Sequence, residues 1–325
     1  DKCGDYYDNI RLALIPNDHI FYVIIEGTED EEVKKIAEIL HKIDLHEFNY
    51  EEYIYNWCRQ ITFPYPNYSD KRMKSDWKHL CEYKDLKYNH RCRLGESLIK
   101  HFHISLYHNN MNQISLFSAW NDDNILLYLI QKRHIYINNV DPSKILSGFN
   151  ISKICPVVSI FNPILAKYLI TKYLSDFNEI FDPFSGFSGR LLGAISTNKM
   201  YIGQDLNSKV IQESNQIMQF LNISSDKYQL NQKDILDCNG KYECILTCPP
   251  YYKKEIYNDE SVFKTCDDWI DECLQRFMCK RYVFVVDATS KYSNYVVETL
   301  KSTSHFSNVR ELVIVIDGKD IEVDV

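Results

Sequence analysis

The chain has 325 residues, a length that suits about two domains, each with a hydrophobic core of its own. Its 45% hydrophobic and 25% charged residues are the balance of a globular protein. No apolar run approaches the roughly 18 residues that a membrane span needs, so we expect no membrane contact. The 11 scattered cysteines and the lack of a basic-then-apolar leader predict reduced thiols and a cytoplasmic location.

Charge is distributed unevenly along the chain, although its net value is −8. Residues 1–60 contain 14 acids and 6 bases, whereas residues 71–100 contain 9 bases and 4 acids. A local basic patch is what binding to nucleic-acid phosphates requires, whatever the total charge, and a solvated helix face is the alternative. The side chains that we expect to contact phosphates are Lys71, Arg72, Lys74, Lys78, Arg91 and Arg93.

The first half of the chain shows few clearly periodic elements. Strand-like segments cover residues 12–15 and 21–25, an amphipathic helix is predicted over 31–42, and an apolar core element over 126–137. Asp141-Pro142 and Cys155-Pro156 indicate a boundary between these residues and the second half. We therefore predict an α+β domain over residues 1–150.

The second half alternates strand-like and helix-like segments, which predicts a doubly wound, mostly parallel α/β sheet over residues 151–325. The predicted strands cover residues 179–181, 200–204, 228–230, 242–246, 282–286 and 311–316. The predicted helices cover residues 190–196, 208–221, 267–277 and 295–300. Ligands of such sheets bind beyond the carboxyl ends of the strands. Four candidate groups follow predicted strands: the turn 182–189, Asp205, Asp234 and the loop 247–252.

The turn Asp182-Pro183-Phe184-Ser185-Gly186-Phe187-Ser188-Gly189 joins a strand to a helix. Its glycines let the backbone approach a ligand closely. Asp205, at the end of the next strand, can accept hydrogen bonds from ribose hydroxyls. Nicotinamide, flavin and S-adenosylmethionine sites share these features, although the spacing is not the full Gly-x-Gly-x-x-Gly pattern, and a purely structural turn is a further interpretation.

The loop Thr247-Cys248-Pro249-Pro250-Tyr251 helps to choose among these sites. Two consecutive prolines make a rigid loop without N–H donors, which leaves carbonyl oxygens free to accept hydrogen bonds from an amino group. Tyr251 offers a flat face on which an extruded base can stack. In isolation, a strand-ending turn with a packed tyrosine would be the simpler interpretation. After the glycine turn and Asp205, the loop indicates chemistry on an amine.

These two segments resemble the motifs of the S-adenosylmethionine-dependent DNA amino-methyltransferases of restriction-modification systems, which act on adenine N6 or cytosine N4. The resemblance covers residues 155–325 and implies a class I methyltransferase fold with S-adenosylmethionine as cofactor. It also implies double-stranded DNA as a partner, with a cognate restriction endonuclease as a second candidate. The implied catalytic residues are Cys248, Pro249, Pro250 and Tyr251. The implied cofactor-binding residues are Asn162, Asp182, Phe184, Gly186, Gly189, Asp205 and Asp234.

The same resemblance gives individual roles to some of these residues. Asp205 would bind the ribose, Asp234 the adenine amino group, and Phe184 would line the cofactor pocket. Phe161-Asn162-Pro163 resembles the segment that packs beside the methionine end of the cofactor. The implied reaction is direct methyl transfer to a flipped base, in which the Cys248 and Pro249 carbonyls hold the amine and stabilise the charge that develops on its nitrogen.

Cys248 departs from the family pattern. Adenine-N6 enzymes usually have Asp or Asn at this position, and cytosine-N4 enzymes usually have Ser. A thiol is similar to Ser in size but is a weak hydrogen-bond partner, which leans toward cytosine N4 and leaves adenine N6 open. A nucleophilic role is disfavoured, because cytosine-C5 enzymes place the cysteine after a proline and not before one.

Several alternatives stay open at this point. The core would equally suit an RNA base methyltransferase, a protein-glutamine methyltransferase, which would carry Asn before the prolines, or a catalytically inactive nucleic-acid-binding relative. The residues after Tyr251 are accounted for by the remaining strands of the sheet, so by elimination we expect target recognition in residues 1–150. His79-x-Cys81 and His90-x-Cys92 could supply four zinc ligands, but their spacing is not a common zinc pattern and we expect no metal.

Overall fold

The computed structural model describes residues 50–84, 92–108, 114–133, 142–155, 160–250, 265–286, 297–300 and 310–316. Contacts between Cα atoms divide the chain into two compact units. One unit comprises Asp1–Pro64 and Gln113–Val157, and the other comprises Tyr65–Asn112 and Val158–Val325. The predicted boundary at residue 150 lies near one junction, but residues 65–112 belong with the second half of the chain. The predicted elements at 12–15, 21–25 and 31–42 lie outside the described residues.

The helices of the described residues are α1 (Tyr50–Gln60), α2 (Asp70–Glu82), α3 (Glu96–Phe102), α4 (Ser105–His108), α5 (Leu116–Asn121), α6 (Asp123–Arg133), α7 (Pro142–Ile151), α8 (Pro163–Tyr173), α9 (Gly189–Ser196), α10 (Ser208–Phe220) and α11 (Cys266–Arg276). A short 3₁₀ helix covers Ile235–Asp237. Within the described ranges, none of the helices has both the length and the apolar character that crossing a bilayer requires.

The described part of the first unit is helical and consists of α1, α5, α6 and α7. Arg59 of α1 donates from Nη1 to the Trp120 carbonyl at 2.7 Å and pairs with Asp123 at 2.8 Å, which ties α1 to α5 and α6. The core element predicted over 126–137 is helix α6 as far as it is described, and Leu126 and Ile130 are fully buried there.

The strands are β1 (Glu179–Asp182), β2 (Met200–Asp205), β3 (Tyr228–Gln232), β4 (Gly240–Lys241), β5 (Cys244–Thr247), β6 (Phe277–Met278), β7 (Arg281–Val286), β8 (Val297–Leu300) and β9 (Arg310–Ile316). Seven of them form a sheet in the order β3-β2-β1-β5-β7-β9-β8, and β4 pairs with β6. The neighbours in the large sheet are parallel except β8 and β9. The predicted mostly parallel α/β fold is therefore confirmed.

Successive residues of the central strands face opposite sides of this sheet, as strand geometry requires. Ile180 and Leu246 belong to one buried cluster and Phe181 and Ile245 to another. The first cluster also takes in buried residues of α2 and α3, namely Met73, Leu80, Leu98 and Ile99. Burial of these apolar side chains explains why residues 65–112 belong to the sheet unit and not to a separate N-terminal domain.

The helix predicted over residues 295–300 is wrong, because Val297–Leu300 form strand β8. This strand pairs antiparallel with β9, with Val297 opposite Val313 and Leu300 opposite Arg310. A short apolar run rich in β-branched residues is compatible with either structure. The hydrogen bonds to β9 stabilise residues 297–300 as a strand, and a local sequence pattern does not reveal such a partner.

Candidate active site

The two predicted motifs lie at the point where the strand order of the sheet reverses. From β1 the chain proceeds outward through β2 to β3 and then returns to place β5 on the other side of β1. Ligands of open α/β sheets bind at such a point, beyond the carboxyl ends of the strands. The turn 183–189 follows β1, and Cys248-Pro249-Pro250 follow β5. Tyr251 lies outside the described residues.

Asp182, the last residue of β1, is fully buried and accepts four hydrogen bonds. Oδ1 accepts from the Phe184 N–H at 3.2 Å and from the Thr247 hydroxyl at 2.6 Å. Oδ2 accepts from Arg190 Nε at 2.6 Å and from the Tyr201 hydroxyl at 2.7 Å. An ionised carboxylate has about four acceptor positions. Asp182, predicted as a cofactor ligand, is therefore engaged with protein donors and joins β1, β2, β5 and α9.

The charge of Asp182 is compensated by Arg190, in the first turn of α9. Burial by itself lowers the pKa of Arg190, but the adjacent Asp182 carboxylate raises it above its ordinary value, so the guanidinium stays charged. The same guanidinium donates to the Phe184 carbonyl and lies 4.8 Å from the centre of the Phe161 ring. Burial raises the pKa of Tyr201 well above its ordinary value, and Asp182 adds to this effect, so its phenol remains a donor.

The turn itself is held against the end of β2. The Ser185 N–H donates to the Gln204 carbonyl at 2.7 Å, and the Gly186 N–H donates to Asp205 Oδ2 at 2.9 Å. Gly186 has a φ of 55°, a conformation that glycine adopts at little cost. Glycine at position 186 thus lets the turn adopt this backbone shape without strain.

Gly189 is required for a different reason. A Cβ atom added to it would lie 1.9 Å from the carbonyl oxygen of Phe161, a distance that no pair of unbonded atoms can adopt. The Phe161-Asn162-Pro163 segment therefore packs directly against the first turn of α9, and its place beside the methionine end of the cofactor stays a prediction. The structure explains Gly189 by this packing, and its predicted contact with the cofactor stays a prediction.

Asp205 ends β2 and is nearly buried, with 8% of its surface exposed. Its Oδ2 accepts from Gly186 as described, and its Oδ1 accepts from the Asn207 N–H at 2.9 Å. Burial raises the pKa of Asp205 above its ordinary value, although these two backbone hydrogen bonds oppose the shift. Each oxygen keeps one further acceptor position. Asp205 can therefore shape the turn and accept hydrogen bonds from a ligand hydroxyl as well.

The other predicted cofactor residues have structural partners. Asn162 caps α8 by accepting from the Ile164 N–H at 2.8 Å, and its amide donates to the Cys92 carbonyl at 2.8 Å. The half-buried Phe184 ring packs edge-on against Trp269, with 5.4 Å between ring centres. Asp234 caps the 3₁₀ helix through a 2.8 Å bond from the Leu236 N–H. The structure explains Asn162 by capping, and the cofactor roles of all three residues stay predictions.

The loop after β5 combines a buried strand end with a partly exposed thiol. Thr247 is fully buried and bonded to Asp182, so the carboxyl ends of β1 and β5 are joined by side chains. Cys248 is partly exposed, whereas Pro249 and Pro250 are buried. Burial of both proline rings agrees with the rigid loop that the sequence predicts.

The predicted phosphate contacts lie on or beside α2 and α3. Lys71, Arg72, Lys74, Lys78 and Arg93 are exposed, and Arg91 lies outside the described residues. A groove of about 350 Å³ lies between these helices and is lined by, among others, Tyr68, Arg72, His79, Arg93, Glu96 and Lys100. Two of the side chains that were predicted to contact phosphates, Arg72 and Arg93, therefore line the groove.

The groove contains acids as well as bases. Glu96 is buried and pairs with Arg93 at 2.9 Å and with Lys100 at 2.8 Å. The Arg72 guanidinium lies 4.4 Å from the centre of the Tyr68 ring. Arg72 thus lies over an aromatic face, a contact that leaves guanidinium N–H donors for an anion.

The cysteines of the described residues have free thiols, and most of them are buried. No cluster of three or more potential metal ligands occurs in the described ranges, and His90 lies outside them. Sequence reasoning missed Arg190, Tyr201 and Thr247, which complete the hydrogen bonds of Asp182. For two of them the sequence offers a signal, which is their position. Arg190 follows the last glycine of the turn, and Thr247 directly precedes Cys248.

Comparisons with known proteins give likenesses to solved structures only. No protein-family model and no curated protein matches the sequence. Similar structures include TrmN from Thermus thermophilus, with 22% identity, 27% of this chain and 28% of that chain covered and a TM-score of 0.24. Protein HI0767 from Haemophilus influenzae has 16% identity, covers 45% of this chain and 84% of its own, and has a TM-score of 0.31.

A third similar structure is the type I restriction-modification system methyltransferase subunit from Streptococcus thermophilus. It has 15% identity, 70% of this chain and 53% of that chain covered, and a TM-score of 0.25. The chain thus spans well under two thirds of the length of this subunit and of TrmN. At such identities and TM-scores, these likenesses are too weak to indicate what this chain does.

The hydrogen bonds of Asp182 predict a large difference between two aspartates that each pair with an arginine. Asp182→Asn leaves Arg190 buried without a compensating charge, so we expect the free energy of unfolding to fall by about 3–5 kcal/mol. Asp176 pairs with Arg281 at 3.0 Å but is 58% exposed, so Asp176→Asn should cost at most about 1 kcal/mol. Urea denaturation of both variants measures the difference, and equal losses would contradict the structural role of Asp182.

Proposed function

We propose that the chain is an S-adenosylmethionine-dependent methyltransferase that acts on the exocyclic amino group of a flipped base in DNA. The observation that carries the proposal is the meeting of two motifs at one place. The glycine turn after β1 and Cys248-Pro249-Pro250 after β5 flank the point where strand order reverses, and the Thr247 to Asp182 hydrogen bond joins them. A cofactor bound at the turn would thereby lie beside the loop that receives the amine.

The residues around the turn fit the chemical groups of S-adenosylmethionine. Asp205 offers acceptors for the two ribose hydroxyls, in a position where its carboxylate already holds the turn. Ser185 Oγ, in the turn, and Gln204 Oε1, on the strand that Asp205 ends, are buried and have no hydrogen-bond partner among the described residues. Unfilled hydrogen-bonding capacity of this kind is costly in a folded protein and suits a site that a polar ligand completes.

The chain's own contribution to the reaction is to orient the amine and to stabilise charge. When bound, S-adenosylmethionine supplies an electrophilic methyl group carried on a sulfonium sulfur. The Cys248 and Pro249 carbonyls would accept hydrogen bonds from the amino group. These hydrogen bonds draw the nitrogen lone pair out of conjugation with the ring, so that it is available for the reaction. The same carbonyl dipoles favour the positive charge that develops there. Pro249 and Pro250, which are buried, keep these carbonyls fixed.

The role of Asp205 predicts a pH-dependent affinity for the cofactor. Only the ionised carboxylate accepts with both oxygens, and its pKa is raised by burial. Affinity for S-adenosylmethionine should therefore fall as the pH drops through this raised pKa, and the fall should begin at a higher pH than an ordinary aspartate would give. Asp205→Ala should weaken binding by about 1–3 kcal/mol and remove this pH dependence. Calorimetric titration measures both effects.

Asp237 gives the matched control, because it is an exposed acid that follows β3 at the same edge of the sheet. Asp237→Ala removes the same charge as Asp205→Ala but no group of the turn. We expect it to leave both the affinity and its pH profile unchanged. An equal loss in the two variants would mean that general electrostatics, and not a direct contact of Asp205, determines the affinity.

The basic side chains on α2 predict a salt-dependent affinity for DNA. Each phosphate contact contributes about −0.9 to the slope of log affinity against log salt, because counterions are released. Replacing Lys71 and Lys74 with Gln should flatten the slope by about 0.9 for each phosphate that these side chains neutralise. Lys144→Gln with Lys153→Gln removes the same charge from exposed positions of the first unit and should not change the slope. Identical slopes for both pairs would identify α2 as a solvated face.

The decisive experiment is transfer of a labelled methyl group to DNA, with RNA of the same sequence beside it. We expect label on adenine N6 or cytosine N4 of DNA, identified by nucleoside analysis. Tyr251→Ala should lose about 1–3 kcal/mol of base stacking, while Tyr251→Phe retains activity and a mismatched target partly restores Tyr251→Ala. Label on RNA alone would replace the DNA proposal, and cofactor binding without transfer to either would indicate an inactive relative.

A further inference from the structure

A buried histidine connects the segment 65–112 to the candidate cofactor turn. His103, at the end of α3, is 0% exposed. Its Nε2 lies 2.7 Å from Ser188 Oγ, and its Nδ1 lies 3.0 Å from Oε2 of Glu213 on α10. The imidazole also meets the Phe187 ring edge-on, with 5.4 Å between ring centres. One side chain thus contacts two successive residues of the turn.

Glu213 determines which nitrogen of the His103 ring is the donor. Burial raises the pKa of Glu213, but the hydrogen bonds from His103 and Ser105 outweigh this effect and lower it below its ordinary value. The carboxylate is therefore ionised near neutral pH and can only accept, so His103 donates to it from Nδ1. In the neutral imidazole Nε2 is then the acceptor, and the Ser188 hydroxyl donates to it.

Ser188 has an unusual backbone conformation that needs support. Its φ is 62°, in the left-handed region that residues with a side chain rarely adopt, and it directly precedes the first residue of α9. Conformations of this kind persist where the surroundings impose them. The Ser188 hydroxyl is held by His103 and by the Ser214 hydroxyl, which also lies 2.7 Å away. His103 therefore supplies one of the two hydrogen bonds that the Ser188 hydroxyl makes among the described residues.

We propose that His103 is a positioning residue for the cofactor. Through Ser188 it holds the turn 183–189 in the shape that receives S-adenosylmethionine, and Glu213 fixes the orientation of its ring. The proposal rests on the proposed function, because that function assigns the turn to this cofactor. The role is indirect, since His103 is wholly buried and acts through the Ser188 hydroxyl.

The test is a double-mutant cycle on the affinity for S-adenosylhomocysteine, measured by calorimetry. His103→Phe keeps a ring beside Phe187 and removes both nitrogens, while Ser188→Gly accepts the positive φ and removes the hydroxyl. Each variant should weaken binding about three- to tenfold, as expected for one hydrogen bond. The double variant should bind the ligand no more weakly than the single variant with the lower affinity, because both substitutions remove the same hydrogen bond between His103 and Ser188. His103→Gln, which can still hydrogen bond, should recover part of the loss.

Ser105→Ala separates positioning from simple stabilisation. Ser105 donates to Glu213 from its N–H at 2.9 Å and from its hydroxyl, without touching Ser188. We expect this variant to lower the melting temperature but to keep its affinity within about twofold of the wild type. Two results would overturn the role of His103 without affecting the proposed function. One is wild-type affinity in His103→Phe, and the other is a loss in the double variant that equals the sum of the two single losses. A wild-type protein that does not bind the ligand would overturn the proposed function itself.

Discussion

The candidate site depends on one buried charge, the carboxylate of Asp182. A buried carboxylate is stable only where a countercharge and hydrogen-bond donors surround it, since removing it from water costs several kcal/mol. Arg190, Tyr201 and Thr247 satisfy this requirement, and they come from α9, β2 and β5. Compensation of a single charge therefore brings three elements together at the end of β1. The turn and the proline loop lie next to each other as a consequence.

Within this arrangement, several motif residues hold the turn, and Asp205 can also bind a ligand. Asp182, Asn162 and Gly189 are occupied by contacts inside the protein. Asp205 supports the turn and still has acceptor positions to spare. In a motif that resembles a binding site, at least as many residues thus hold the backbone as are available to contact a ligand. This is expected on physical grounds, because a backbone that approaches a ligand closely must be held by groups that the ligand does not use.

Residues 65–112 link the basic surface to the same scaffold. The apolar face of α2 and α3 is buried in the sheet unit, whereas Lys71, Arg72, Lys74 and Lys78 of α2 are exposed and Arg72 lines the groove. At the end of α3, His103 reaches the turn through Ser188. The candidate phosphate contacts and the candidate cofactor site therefore belong to one compact unit, and not to the two separate domains that the sequence predicted.

The sequence by itself determined the local parts of this protein: strands β1, β2, β3, β5 and β7, helices α9, α10 and α11, the glycine turn, the acid that ends β2 and the proline loop. These follow from periodicity and from backbone chemistry that acts within a few residues. Tertiary structure alone decided what depends on distant partners. Pairing with β9 made residues 297–300 a strand, and apolar burial joined residues 65–112 to the sheet. The side chains that donate to Asp182 lie 8 to 65 residues from it, and His103 lies 85 residues from Ser188, distances beyond any local pattern.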